Sequence, residues 1–157
     1  MQVRNQALWD TFREELADHI KLLAPLVQSG AELVDRGEWV NQIFRTLHTI
    51  KGASMLVPVG EVTRATHLVE SLLEPSRSDA TWWPQEGLQR YVKWLEDLVS
   101  SGAEAAAVLA EVDELEAALA IAVGGAADCR GGRRRQDSSL FAPAKSHRLL
   151  ATADRRC

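Results

Sequence analysis

Leu47 to Ser54, LHTIKGAS, decides how the rest of the chain is read. The stretch lies within a run in which Val40, Ile43, Leu47, Ile50 and Ser54 recur at helical spacing and face one way. Yet it sets a histidine, a lysine and a glycine close together. Positions i, i+3 and i+4 of a helix share a face, so His48, Lys51 and Gly52 form one patch, with Phe44 and Met55 along the same line. That patch lies roughly 100° around from Leu47, bordering the core without entering it, where solvent reaches the imidazole. Glycine in a helix interior costs about 1 kcal/mol relative to alanine. A reason for accepting that cost is clearance: without a side chain at Gly52, a large partner can approach the imidazole closely. Lys51, one turn on, places an ammonium where it can meet an anion carried by His48.

Outward from this stretch the 3.6-residue periodicity continues and strand signals are nearly absent. The spacing predicts five helices. The first runs from about Gln6 to Gln28, with Leu8, Phe12, Leu16, Ile20, Leu23 and Val27 as its apolar stripe and Gly30 suited to a C-terminal cap. The second runs from about Glu38 to Met55. It ends at VPVG, where proline disfavours helix at the residue before it. The third runs from about Glu61 to Glu74, with Val62, Ala65, Val69 and Leu72 inward; PSRSDA reads as a loop. The fourth runs from about Thr81 to Ser100, with Thr81 as cap and Pro84 in the first turn. The fifth runs from about Ala103 to Val123, with Ala105, Val108, Val112, Leu115, Leu119 and Ala122 as a packing seam. Trp9, Trp39, Trp82, Trp83 and Trp94 read as core or half-buried anchors, and His19 as structural. Short connections favour antiparallel neighbours. The expected fold is therefore all-α, an up-and-down antiparallel four-helix bundle with an additional C-terminal helix, over residues 1–123. From Gly124-Gly125 to Cys157 the periodicity stops and Arg, Gly and Ser accumulate, so 124–157 is expected to be a disordered tail or linker.

The composition bounds the function. The chain has 157 residues, 46% hydrophobic and 25% charged, with a net charge of -4, as in a soluble globular domain. That balance gives no general reason to expect nucleic-acid binding, and the RGGRRR run reads as solvated linker. Both cysteines, Cys129 and Cys157, fall in the tail, which is no disulfide framework. The amino terminus does not resemble a signal peptide, and no apolar run approaches the ~20 residues of a membrane span. A cytoplasmic location is expected.

A second constellation comes from the turn. If the helices flanking Pro58 are antiparallel, His48, roughly 15 Å before the turn at 1.5 Å per residue, faces positions near His67 and Glu70 on the return helix. A carboxylate or second imidazole bonded to one ring nitrogen fixes which nitrogen is free. Glu70, with His67, can take the Nδ1 proton and leave Nε2 as the nucleophile, while Lys51 neutralises charge on an incoming phosphoryl group. There is no Gly-rich phosphate loop and no Asp-rich magnesium motif, so neither a cofactor nor a metal is expected. Such a site can accept and pass on a group that another protein supplies.

FRTLHTIKGAS followed by ATHLVESLLE resembles a histidine-containing phosphotransfer (HPt) domain, closest to the amino-terminal phosphotransfer domain of chemotaxis-type histidine kinases. The resemblance covers about Leu8 to Leu119. The family pattern His-x-x-Lys-Gly falls on His48, Lys51 and Gly52, and the return-helix His and Glu fall on His67 and Glu70. It implies phosphorylation of His48 on Nε2 and transfer to a receiver-domain aspartate. Lys51 would support the phosphate, Gly52 give clearance, and His67 with Glu70 orient the ring. The implied partners are the ATP-binding domain of a histidine kinase as donor and a response-regulator receiver domain as acceptor. The pattern departs at MLVPVG, where the family often has a glycine-rich or Leu-Gly passage. Its kinases continue into dimerisation and ATP-binding domains that these residues do not contain.

Two other readings compete. A lone helix histidine is usually an ordinary surface residue. With four histidines in the chain, however, a Lys at +3 and a Gly at +4 arise by chance in only about 1–2% of such sequences, which favours function at His48. A non-catalytic helical module could bind a receiver or kinase domain without phosphotransfer. A metal site built from His48, His67 and Glu70 is a third option, but di-iron bundles need more carboxylates on matching faces than the sequence supplies.

Overall fold

The computed structural model describes residues 6–30, 37–57, 59–79 and 81–131, and its regular structure there is entirely helical. The elements are α1 (Gln6–Ser29), α2 (Gly37–Leu56), α3 (Gly60–Leu73), α4 (Gln85–Ser100), α5 (Ala105–Ala110) and α6 (Val112–Gly131). Helices α1 to α4 form the bundle. α1 packs against α2 and α4, and α3 packs against α2 and α4, while α6 covers α3 and α4. The fold is the all-α bundle with additional C-terminal helix that the periodicity predicts.

Specific pairs fix the antiparallel register. Between α2 and α3, the Ser54 and Thr63 hydroxyls lie 2.7 Å apart near the turn, and Lys51 pairs with Glu70 farther from it. Between α3 and α4, the Thr66 and Tyr91 hydroxyls are 2.7 Å apart, and Leu72 lies against Gly87. Between α1 and α4, Arg13 donates to the Val99 carbonyl at one end and Trp83 covers Gly30 at the other. The predicted inner faces of α2 and α3 are buried: Val40, Ile43, Leu47, Ile50 and Ser54 on one, Val62, Ala65, Val69 and Leu72 on the other. On α1 the buried stripe begins at Trp9, because Leu8 is 40% exposed. Trp94 is also buried, its indole N–H donating to the Val108 carbonyl at 2.9 Å. Trp39, Trp82 and Trp83 are half-buried.

Four boundaries differ from the sequence reading, each for a local reason. α3 does not give way to a loop: a 3-10 turn, Glu74–Arg77, extends it with Pro75 at its first positions, where a missing N–H is harmless. α4 starts at Gln85 rather than Thr81. Thr81 instead donates its N–H and hydroxyl to the Asp79 carboxylate in a turn, and Pro84 precedes the first helical residue. The fifth predicted helix is two pieces, α5 and α6, broken at Glu111, whose N–H returns to the Val108 carbonyl at 3.2 Å. α6 runs on through Gly124-Gly125 to Gly131, so a non-helical tail from 124 is corrected over these residues. The alanines around the glycine pair are strong helix formers and offset its local penalty. Residues 132–157, and Pro58 itself, lie outside the described residues.

Gly30 also departs from its expected role. Left-handed geometry occurs among the described glycines at Gly102, with φ of 53°, and not at Gly30. Gly30 instead lies against the Trp83 ring, where a Cβ would come within 2.0 Å of a ring carbon. Gly87 serves similarly under Leu72, at 2.5 Å.

Tyr91 links the core to the α3 face. Its phenol is fully buried, and burial pushes its pKa well above the ordinary value, Thr66 acting the other way and Glu70 adding to the rise. The native state therefore keeps this proton when the unfolded chain releases it near pH ~10. The stability it supports is complete below that pH and declines above it, by up to ~1.4 kcal/mol per pH unit. Tyr is present once in the chain. Denaturant unfolding between about pH 9 and 11 should show this decline in the wild type and a flatter profile in Tyr91→Phe; parallel profiles would contradict it.

Candidate functional site

α2 carries His48 on its solvent side. The residue is exposed, and its side chain makes no hydrogen bond or ion pair among the described residues. Leu47, its neighbour in sequence, is fully buried, as the 100° rotation between consecutive residues requires. The helix is thus anchored directly behind the imidazole.

Lys51 Nζ donates to Glu70 Oε2 across the α2–α3 contact. Both side chains are sheltered, 24% and 15% exposed. His67 Nδ1 lies 3.8 Å from the same oxygen, too far for a hydrogen bond, and its ring is 72% exposed. Lys51, His67 and Glu70 are therefore gathered on one carboxylate oxygen. Among the described residues, no hydrogen bond or ion pair joins Glu70 or His67 to His48. The register set by Ser54–Thr63 and Lys51–Glu70 places His48 one turn farther from the α2–α3 turn than Lys51, toward the carboxyl-terminal part of α3.

Gly52 is exposed, and a Cβ built there would meet nothing within 4 Å. Packing among the described residues does not require glycine at that position, in contrast to Gly30 and Gly87. Met55, one turn beyond Lys51, is 69% exposed, and Leu56 beside it is 76% exposed. Phe44, one turn before His48, is half-buried. Its ring lies beneath Arg77, with the guanidinium carbon 4.3 Å from the ring centroid.

Arg77 and Leu56 are absent from the sequence-level constellation. Leu56 carries no periodic signal because it follows the last inward residue of α2. Arg77 falls in PSRSDA, and nothing in a loop assignment brings it back to α2; the 3-10 extension of α3 does. No group of three or more His, Cys, Asp or Glu side chains among the described residues is arranged to hold a metal ion. No helix there is long and apolar enough to cross a membrane.

The arrangement offers an accessible imidazole, a lysine–glutamate pair one turn away and open space beside both. Comparisons with known proteins point the same way. The family model described as the Hpt domain matches residues 7–121. The chain is similar to the chemotaxis protein CheA of Borreliella burgdorferi, 27% identical over 77 residues, which are 49% of this chain and 9% of that protein. It is also similar to CheA of Listeria monocytogenes, 31% identical over 70 residues, 45% of this chain and 11% of that protein. CheA of Listeria innocua gives the same figures. The chain thus spans about a tenth of the length of the curated relatives it matches. No solved structure matches it. With the matched segment covering the whole of α1 to α4 apart from the first residue of α1, and reaching well into α6, the chain belongs to the Hpt-domain family.

Proposed function

We propose that this chain is a phosphorelay carrier whose His48 accepts a phosphoryl group from a histidine kinase and passes it to a response-regulator aspartate. The observation that carries the proposal is the open Gly52 beside an exposed His48. A helix glycine that no contact among the described residues demands, next to an exposed imidazole that makes no hydrogen bond or ion pair among them, fits a surface shaped for another protein's active site. The CheA relatives support the same class of partner, a kinase ATP-binding domain as donor and a receiver domain as acceptor.

The chemistry follows from the side chains. Nε2 of a neutral imidazole attacks the γ-phosphorus of ATP bound by the donor. An N–P bond forms, the P–O bond to ADP breaks, and the Nδ1 proton leaves. Glu70 Oε2 is engaged by Lys51, whereas its Oε1 makes no hydrogen bond among the described residues and is available to take the Nδ1 proton. His67, close to the same carboxylate, supports its placement. Once the phosphoryl group arrives, Lys51 has an anion on each side and can share its donors between Glu70 and the phosphate. In the second transfer an aspartate oxygen attacks phosphorus, the N–P bond breaks, and the imidazole recovers its proton. Phe44, Gly52 and Met55 form the surface on which either partner rests.

Incubation with a chemotaxis-type kinase domain and labelled ATP should give an acid-labile, base-stable phosphate that disappears in His48→Gln. Full labelling of that variant would rule out His48. Binding to receivers that is indifferent to phosphate, with no transfer from any kinase, would instead favour the non-catalytic interaction module.

Glu70→Ala should leave the bundle folded, at a cost of about 1–3 kcal/mol for a sheltered charge-assisted hydrogen bond, yet slow phosphorylation by about 10²-fold, the usual contribution of a positioned base. Equal rates would contradict its role. Gly52→Ala should raise stability by about 0.5–1 kcal/mol through helix propensity while slowing transfer in both directions. A stabilised variant with unimpaired transfer would show that the clearance is not used.

A further inference from the structure

Arg77 brings a cation to the side of His48 opposite Lys51. Phe44 stands one turn before His48 on the same face of α2, and Lys51 one turn after it. The Arg77 guanidinium carbon lies 4.3 Å from the centroid of the Phe44 ring, carried there by the 3-10 turn that extends α3. Residues at i and i+4 have Cβ atoms about 5–6 Å apart, so this guanidinium rests within one side-chain swing of the imidazole.

Its bonding is incomplete. Arg77 Nη1 is 3.7 Å from Glu74 Oε1, beyond hydrogen-bond distance, and the guanidinium makes no hydrogen bond among the described residues. Its side chain is 49% exposed. Lys51, by contrast, is already engaged by Glu70. The flat face of the guanidinium is thus supported on an aromatic ring, and its planar fork of donors is unfilled. That is the geometry with which arginine binds phosphoryl oxygens in a bidentate manner. Arg45, three residues before His48 and exposed, shares this flank, but no contact among the described residues holds its guanidinium over the site.

We propose that Arg77 is a second contact for the phosphoryl group on His48, donating to its oxygens from the Phe44 side while Lys51 serves the other. The inference rests on the carrier function proposed above. A contact made to the phosphoryl group stabilises phosphorylated His48 and shifts the equilibrium of the ATP reaction. A contact made only to a docking partner changes how fast equilibrium is reached and leaves its position alone.

The test is the ratio of phosphorylated to free His48 at equilibrium, at fixed ATP and ADP, with a trace of a chemotaxis kinase's ATP-binding domain as donor. Arg77→Gln should lower the ratio about tenfold, the equivalent of one charge-assisted hydrogen bond. Arg77→Lys should recover part of the loss, and Arg45→Gln should change the ratio by less than about twofold. An unchanged ratio in Arg77→Gln, with the wild type labelled normally, would overturn this inference and leave the carrier function standing. An equal fall in Arg45→Gln would also overturn it, showing diffuse charge in place of a contact. A wild-type chain that takes label neither from the donor nor from phosphoramidate would overturn both.

Discussion

The pairing of α2 with α3 is the constraint on which the site depends. It is built from unlike parts. Ile43, Leu47, Ile50, Val62, Ala65 and Val69 supply the apolar contact, which is non-directional and sets no register by itself. The Ser54–Thr63 hydroxyl pair and the Val59 N–H to the Ser54 carbonyl, at 3.1 Å, supply direction near the turn. Lys51–Glu70 supplies it farther along. A slip of one residue would turn each helix by about 100° and separate all three. Because the two helices are locked, His48 holds a defined position although its side chain makes no hydrogen bond or ion pair among the described residues.

The glycines of the helices differ in what surrounds them. Gly30 and Gly87 are filled by neighbours, Trp83 and Leu72, which occupy the space a Cβ would need. Gly52 has nothing near it. All three look alike as letters within or beside helices. Only the packing separates Gly30 and Gly87, where a neighbour fills the space, from Gly52, where none of the described residues does.

Much of this was legible in the sequence because helical periodicity reports directly on burial. The inward faces of α2 and α3 were predicted residue by residue, and the turn put His67 and Glu70 on the helix that faces His48. Less legible were features set by tertiary contact or by short-range bonding. Thr81 reads as a cap, yet the Asp79 carboxylate takes its N–H and hydroxyl. Gly124-Gly125 reads as a stop, yet alanine-rich flanks carry the helix through. PSRSDA reads as a loop, and its 3-10 turn is what returns Arg77 to Phe44. Pairwise chemistry was the hardest to foresee. Spacing places Glu70 near both His48 and Lys51, and only the structure shows that its hydrogen-bond donor is the lysine.

Among the described residues, Lys51 and Glu70 hold each other while the His48 side chain makes no hydrogen bond or ion pair. The most direct test is a long-range proton–nitrogen NMR spectrum of the imidazoles before and after phosphorylation. The chain has four histidines, so each can be assigned by single substitution. The expected result is phosphorus coupling on Nε2 of His48 and on no other ring nitrogen. Coupling on Nδ1 of His48, or on any nitrogen of His67, would contradict the assignment of His48 Nε2 as the atom that carries the phosphoryl group.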